Sequence, residues 1–210
     1  MIVELIFVRH GETQNNKEGI LQGQLDIPLN EKGLKDAEEL AAHLKEVHFD
    51  AIYSSYLLRA RQCAQVISDK KNFQKINISR ALAERHFGEH QGSSVLGLGY
   101  PDITYPSLAR HFYECDCPGG ESRELFIQRI DRYFDDILNR HDNQRVLTVT
   151  HGGVVMFMVS RLLREEIVYA NSKKHSNGFV SYFKLDKDKN VLDSLVNVHV
   201  SKLVEYLGRK

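Results

Sequence analysis

Ile2-Val3-Glu4-Leu5-Ile6-Phe7-Val8-Arg9-His10-Gly11-Glu12-Thr13 decides how the rest of this chain is read. The apolar run from Ile2 to Val8 predicts a buried strand that stops at a glycine turn. A strand ending in Arg-His-Gly places a guanidinium and an imidazole at its carboxyl edge, where open α/β sheets bind ligands. Histidine can act as nucleophile, base or acid near neutral pH, and arginine offers a planar fork of donors suited to phosphate or carboxylate oxygens. The stretch predicts half of an anion site, so the rest of the chain must supply the other half.

A second stretch repeats the pattern far along the chain. Arg145-Val146-Leu147-Thr148-Val149-Thr150 predicts a central buried strand, His151-Gly152-Gly153 follows at its end, and Val154 to Leu163 is an almost wholly apolar helix. Strand, glycine turn and helix make an α/β crossover. Between the two, Asn30 predicts the N-cap of a helix with Leu34, Ala37, Leu40, Ala41, Leu44 and Val47 on one core face and Gly33 as a weakness in its first turn. Phe49 to Ser54 reads as a strand, followed by a helix from about Leu57 to Lys70. Arg61 in that helix is expected on the solvated surface, whereas Arg59 falls just past a strand end, near a helix N-terminus that favours anions. Ile76 to Ser79 predicts a further strand and Glu121 to Leu138 an amphipathic helix. Phe179 to Leu185 and Asn190 to Val196 predict two closing strands, with a short helix near Lys202.

Three segments lack periodicity. Gln14 to Asn30 is a polar loop. Leu82 to Gly92 is dense in titratable groups, its His86 and His90 being read as surface residues. Ser93 to Gly120 holds Tyr100, Tyr105, Arg110, His111, Phe112 and Tyr113 and is too long for an idle connection. It reads as a lid-like or substrate-selecting excursion within a single domain spanning residues 1–210.

Composition narrows the function. Hydrophobic content of 42% and charged content of 27% match a globular protein with a sizeable core. Lys+Arg and Asp+Glu are equal at 28 each, and without a basic run a nucleic-acid partner is not expected. The run Ile2 to Val8 is too short for a signal or a membrane span, so the expectation is a cytoplasmic protein with no membrane partner. Cys63 falls inside a helical pattern, and Cys115 and Cys117 are too close for a disulfide framework. No second cysteine pair or His-x-x-His run completes a zinc set, so no metal is expected.

Three signatures now stand in order: Arg9-His10-Gly11-Glu12-Thr13 with Asn16, Ser55-Tyr56-Leu57-Leu58-Arg59-Ala60, and Thr150-His151-Gly152-Gly153. Their order and strand-end placement resemble the histidine phosphatase superfamily, also called the phosphoglycerate mutase-like family. The likeness continues through Gln22-Gly23, Asp26, Pro28-Leu29, Gly33, Leu82-Ala83-Glu84 with Phe87-Gly88, and Pro118-Gly119-Gly120-Glu121-Ser122. It implies an α/β protein, a three-layer α/β/α sandwich around a mostly parallel mixed sheet. It also implies that His10 is the nucleophile, neutral, with its second nitrogen bonded to a backbone carbonyl, and that it carries a phosphohistidine intermediate.

The same resemblance gives Arg9, Arg59 and His151, the last as an imidazolium, the task of stabilising charge on the phosphoryl oxygens. Gly11 would allow close backbone approach. Asn16, Gln22, Gly23 and Gly152 would bind substrate, with Asn16 and Gly23 as neutral donors at the rim. Glu84 would protonate the departing alkoxide and then activate water, which requires a pKa above the ordinary carboxyl value of about 4.3. No cofactor is implied.

The chain departs from the family where tryptophan is common, at Asn15 and His90, and has no tryptophan at all; Cys63 stands where threonine is frequent. These changes touch pocket walls and leave the substrate open among sugar phosphates, α-ribazole phosphate and broad specificity. The expected activity is metal-independent hydrolysis of a small cytosolic phosphate monoester. A phosphoglycerate mutase and an inactive phospho-ligand binding module are the alternatives. The short loop after the acid resembles the phosphatase branch, and all five chemical residues are present, which disfavours an inactive module.

Overall fold

The computed structural model describes residues 2–73, 75–98, 116–164 and 179–209. Most of the Ser93–Gly120 excursion, including its aromatic residues, Arg110, His111 and Cys115, lies outside the described residues. Among the described residues six strands form one sheet: β1 (Ile2–Arg9), β2 (Ala51–Ser55), β3 (Ile76–Ser79), β4 (Gln144–Thr150), β5 (Phe179–Asp186) and β6 (Val191–His199). Their spatial order is β3-β2-β4-β1-β5-β6. The first four in that order run parallel, and β5 and β6 complete the sheet by antiparallel pairing.

Helices cover both faces: α1 (Gln14–Glu18), α2 (Glu31–Leu44), α3 (Leu58–Lys71), α4 (Arg123–Arg140), α5 (Gly152–Leu163) and α6 (Val200–Gly208). Alternation along β1 assigns the faces, because successive strand side chains point to opposite sides. Val3, Leu5 and Phe7 pack with α4 and α5 residues such as Phe126, Phe134 and Val155. Ile6 and Val8 pack with Ala37, Leu40, Cys63, Ile67 and Leu203 of α2, α3 and α6. A strand buried on both sides needs a near-continuous apolar run, which is what Ile2 to Val8 supplies. Each fully buried side chain of this size contributes about 1.5–3 kcal/mol of transfer free energy.

Register brings the two histidine motifs together. Arg9 pairs with Thr150 across β1 and β4, and the next residue, His10, donates its backbone N–H to the Thr150 carbonyl at 2.9 Å. The strand order changes direction at this pair, since β1 is followed by β2 on one side and β4 by β5 on the other. A crevice at the carboxyl ends of such strands is the expected ligand position.

Several local readings change. Gln14 to Asn30 is not wholly loop, because α1 forms at its start, with Thr13 and Asn16 as a capping box. Gly33 is not a flaw in α2: a Cβ there would lie 2.1 Å from the Glu12 carbonyl oxygen, and one on Gly11 would lie 2.4 Å from the Gly33 oxygen. The close approach expected of Gly11 is thus made to the first turn of α2. The inward stripe runs through Gly33, Ala37, Leu40, Ala41 and Leu44, and Leu34, one position round the helix, is 39% exposed. Helix α5 begins at Gly152, two residues before its apolar run. Among the described residues no helix is long and apolar enough to cross a membrane.

Candidate active site

His10 and His151 emerge from adjacent strands and are both buried, with ring centroids 5.1 Å apart. The His10 Nδ1–H donates to the Gly11 carbonyl at 2.7 Å. Its Nε2 accepts from Arg59 Nε at 3.2 Å. An atom that accepts from a guanidinium carries a lone pair, so the tautomer is settled from both ends of the ring. Burial, and then the positive charges of Arg59 and Arg9, hold the His10 pKa well below 6.5. The neutral imidazole is therefore the resting form.

His151 is fixed differently. Its Nε2 lies 2.8 Å from Ser55 Oγ, which also accepts the Leu57 backbone N–H at 3.3 Å. When the hydroxyl donates to Nε2, the proton of a neutral His151 stands on Nδ1; when it accepts from Nε2–H, Nδ1 carries a lone pair. Nδ1 is buried and has no hydrogen-bond partner among the described residues. Burial lowers the His151 pKa well below 6.5, helped by Arg59, His10, Arg129 and Arg9. The imidazolium expected here is thus not the resting form.

Arg59, in the first turn of α3, is 1% exposed. Besides His10 it donates to the carbonyls of Leu25 and Gly23, each at 2.7 Å. Burial lowers its pKa to about 10, against the opposing pull of Glu84 and Asp26, so it remains cationic at neutral pH. Asp26 also caps the helix from outside: its Oδ1 accepts the Leu58 N–H at 2.6 Å. Arg9 ends β1 and adds its charge to the fields at His10, Arg59 and His151. Arg61 is exposed, as its position predicts.

Glu84 arrives from the segment after β3. One carboxylate oxygen accepts the Arg85 N–H at 3.0 Å and the other the Gly153 N–H at 3.1 Å, in the first turn of α5. Backbone N–H groups fix the orientation of both carboxyl oxygens. Glu84 thus joins buried His10, Arg59 and His151 in one cluster, with half-buried Arg9 adding its charge.

The remaining sequence candidates occupy the surrounding loop. Thr13 Oγ1 lies 3.0 Å from both Asn16 Oδ1 and Gln22 Oε1, so the two amide side chains meet at the motif threonine. Gly23, with φ of 52°, presents its carbonyl to Arg59. Gly152 opens α5 directly after His151. Cys63, in the position where threonine is frequent, takes a hydrogen bond from the Gly11 backbone, and burial pushes its thiol up to about 12. It stays protonated and inert. His86 and His90 are half-buried, not exposed; His86 Nδ1 accepts the Gly88 N–H at 3.1 Å.

Asn30 caps α2 through Oδ1, as its position predicts, and also donates Nδ2–H to Glu12 at 2.8 Å. Sequence reading missed three supporting residues. Ser55 orients His151. Gln24 donates to the Glu84 carbonyl at 2.9 Å, and Arg129 on α4 reaches the same carbonyl at 3.1 Å. Only Ser55 stood inside a quoted motif; polar residues at scattered positions carry no spacing signal. Among the described residues no group of three His, Cys, Asp or Glu could hold a metal ion.

The model of the histidine phosphatase superfamily (branch 1) matches residues 5–198. A metal-independent phosphoserine phosphatase of Arabidopsis thaliana is 34% identical over 99% of this chain and 87% of its own. An adenosylcobalamin/α-ribazole phosphatase of Salmonella typhimurium is 30% identical over 77% of this chain and 80% of its own. Among solved structures, a phosphoserine phosphatase of Entamoeba histolytica in complex with 3-phosphoglyceric acid superposes with a TM-score of 0.73 at 26% identity, covering 95% of this chain and 99% of that one. With a family match across nearly its whole length and phosphatase relatives of comparable size, this protein belongs to the histidine phosphatase superfamily, branch 1, as a phosphoric monoester hydrolase.

Proposed function

We propose that the protein hydrolyses a small cytosolic phosphate monoester without a metal, with phosphoserine as the first candidate, through a phosphohistidine on Nε2 of His10. The observation that carries this reading is the lone pair on that atom: Nδ1–H is committed to the Gly11 carbonyl while Nε2 accepts from Arg59. In this scheme Nε2 attacks phosphorus and the ester P–O bond breaks. The departing oxygen takes its proton from Glu84. Water then passes a proton to Glu84 and attacks the phosphohistidine, releasing phosphate and restoring neutral His10.

Arg9, Arg59 and the His151 Nδ1–H hold the equatorial oxygens, so that positioning and charge supply most of the rate, as phosphoryl transfer requires. Asn16, Gln22, Gly23 and Gly152 shape the surrounding substrate site. The reading treats residues 1–210 as one catalytic domain acting in the cytoplasm on a small molecule. Phosphoserine leads because the relative matching nearly the whole chain is a phosphoserine phosphatase.

Turnover of p-nitrophenyl phosphate in excess EDTA tests the chemistry: activity persists, and His10→Ala loses it by at least about 10⁴-fold with no acid-labile phosphoenzyme trapped. Chelator-abolished activity, or a variant that keeps the parent rate, overturns the scheme. A panel scored by kcat/KM ranks phosphoserine above α-ribazole phosphate and sugar phosphates. Fast interconversion of 3-phosphoglycerate in the presence of 2,3-bisphosphoglycerate, without phosphate release, would instead identify a mutase.

A further inference from the structure

Arg129 lies on α4, outside the residues given a chemical role above, with its side chain 16% exposed. All five of its N–H groups are committed. Nε donates to Glu121 Oε1 at 2.6 Å. One terminal nitrogen donates to the carbonyls of Ala81 at 2.8 Å and Ala83 at 2.7 Å. The other donates to Glu121 Oε2 at 2.9 Å and the Glu84 carbonyl at 3.1 Å. Glu121 is itself only 14% exposed, and its backbone N–H donates to the His86 carbonyl at 2.8 Å.

Segment 81–84 forms no strand pairing, so its carbonyls depend on side chains. Arg129 takes those of Ala81, Ala83 and Glu84. The Thr150 hydroxyl takes that of Leu82 at 2.7 Å, and Gln24 adds a second donor at Glu84. Every carbonyl leading to the Glu84 side chain is therefore held, three of the four by one guanidinium. A lysine could not reproduce this, having three donors on a point charge instead of a planar fork of five.

We propose that the bidentate Arg129–Glu121 pair is a positioning device that sets Glu84 at the distance and angle from which it exchanges a proton with the ester oxygen. This rests on the reading of Glu84 as the general acid. Neither residue meets the phosphoryl group; both act through the backbone of segment 81–84. Positioning of this kind matters because a misplacement of about 1 Å can cost on the order of 10²-fold in rate.

The leaving group separates positioning from general support of the fold. A serine alkoxide needs a proton as it departs, whereas p-nitrophenolate leaves without one. Comparing kcat/KM for phosphoserine, or the best alkyl ester of the panel, with that for p-nitrophenyl phosphate reads this difference. Arg129→Lys should lose roughly 10- to 100-fold more on the alkyl ester than on the aryl ester. Glu84→Gln should show the same selectivity, and adding Arg129→Lys to Glu84→Gln should add none. Glu121→Gln provides the same test should Arg129→Lys fail to fold by circular dichroism. Equal losses on both esters for the Arg129 and Glu121 variants, beside a selective Glu84→Gln, overturn the positioning role and leave Glu84 as the acid. If Glu84→Gln itself is unselective, the acid reading falls and this inference falls with it.

Discussion

His10 and His151 occupy matching places, each the first residue beyond a parallel strand and each followed by glycine, yet the molecule prepares them differently. The pair share burial, a neutral resting form and a depressed pKa. What separates them is the group on Nε2. At His10 it is a guanidinium, which can only donate, so Nε2 keeps a lone pair that can attack. At His151 it is the Ser55 hydroxyl, which in the proposed scheme donates to Nε2 and so leaves a proton on Nδ1 to be given to a phosphoryl oxygen. Strand-end placement thus creates an imidazole site, and one neighbouring hydrogen bond divides nucleophile from donor.

The sharpest way to break this comparison is to remove each ring in turn. Against the near-total loss at His10, His151→Asn should lower kcat by about 10²–10³-fold, the usual effect of deleting one preorganised donor. It should still accumulate acid-labile phosphoenzyme in a rapid-quench experiment, and a His151 variant that traps none would erase the distinction. A smaller effect is expected one bond further out. Ser55→Ala removes a hydrogen bond of about 1–1.5 kcal/mol and should slow turnover by roughly tenfold. The His10 phosphoenzyme should form with unchanged stoichiometry, and a fall in that stoichiometry would place Ser55 in the service of both rings.

The smallest effect probes what the two rings share. Both pKa values are lowered by folding, so the unfolded chain binds more protons and stability rises with pH in that window. Their contribution is complete above about 6.5, the ordinary histidine value, and is lost as pH falls through the depressed folded values. Urea midpoints measured from pH 8 to pH 5 should decline below about 6.5, and the decline should be shallower in His10→Asn or His151→Asn. An unchanged slope in both variants would show that neither ring is buried neutral.

How much of this was legible in the chain follows from what each feature depends on. Apolar runs and helical spacing exposed all six strands and α2 to α6, because burial of one face or two imposes a period on the sequence. Helix α1 escaped, since five polar residues closed by a Thr13–Asn16 box carry no period. Gly33 was misread because its value lies in a contact with Glu12, distant from it in sequence. Of the site, the five clustered residues were visible only through ordered motifs. The donors that orient them, Ser55, Gln24 and Arg129, act through bonds spanning 96, 60 and 45 residues of chain.

The sequence by itself determined the crossover pattern, the two strand-end histidines and the inventory of charge, because periodicity and glycine turns are local properties written residue by residue. Tertiary structure alone decided that β4 lies beside β1 in register, that Arg59 faces the His10 ring and that Ser55 faces His151. Those are facts of distance, and the proton positions that distinguish a nucleophile from a donor are set by which polar atom stands about 3 Å away.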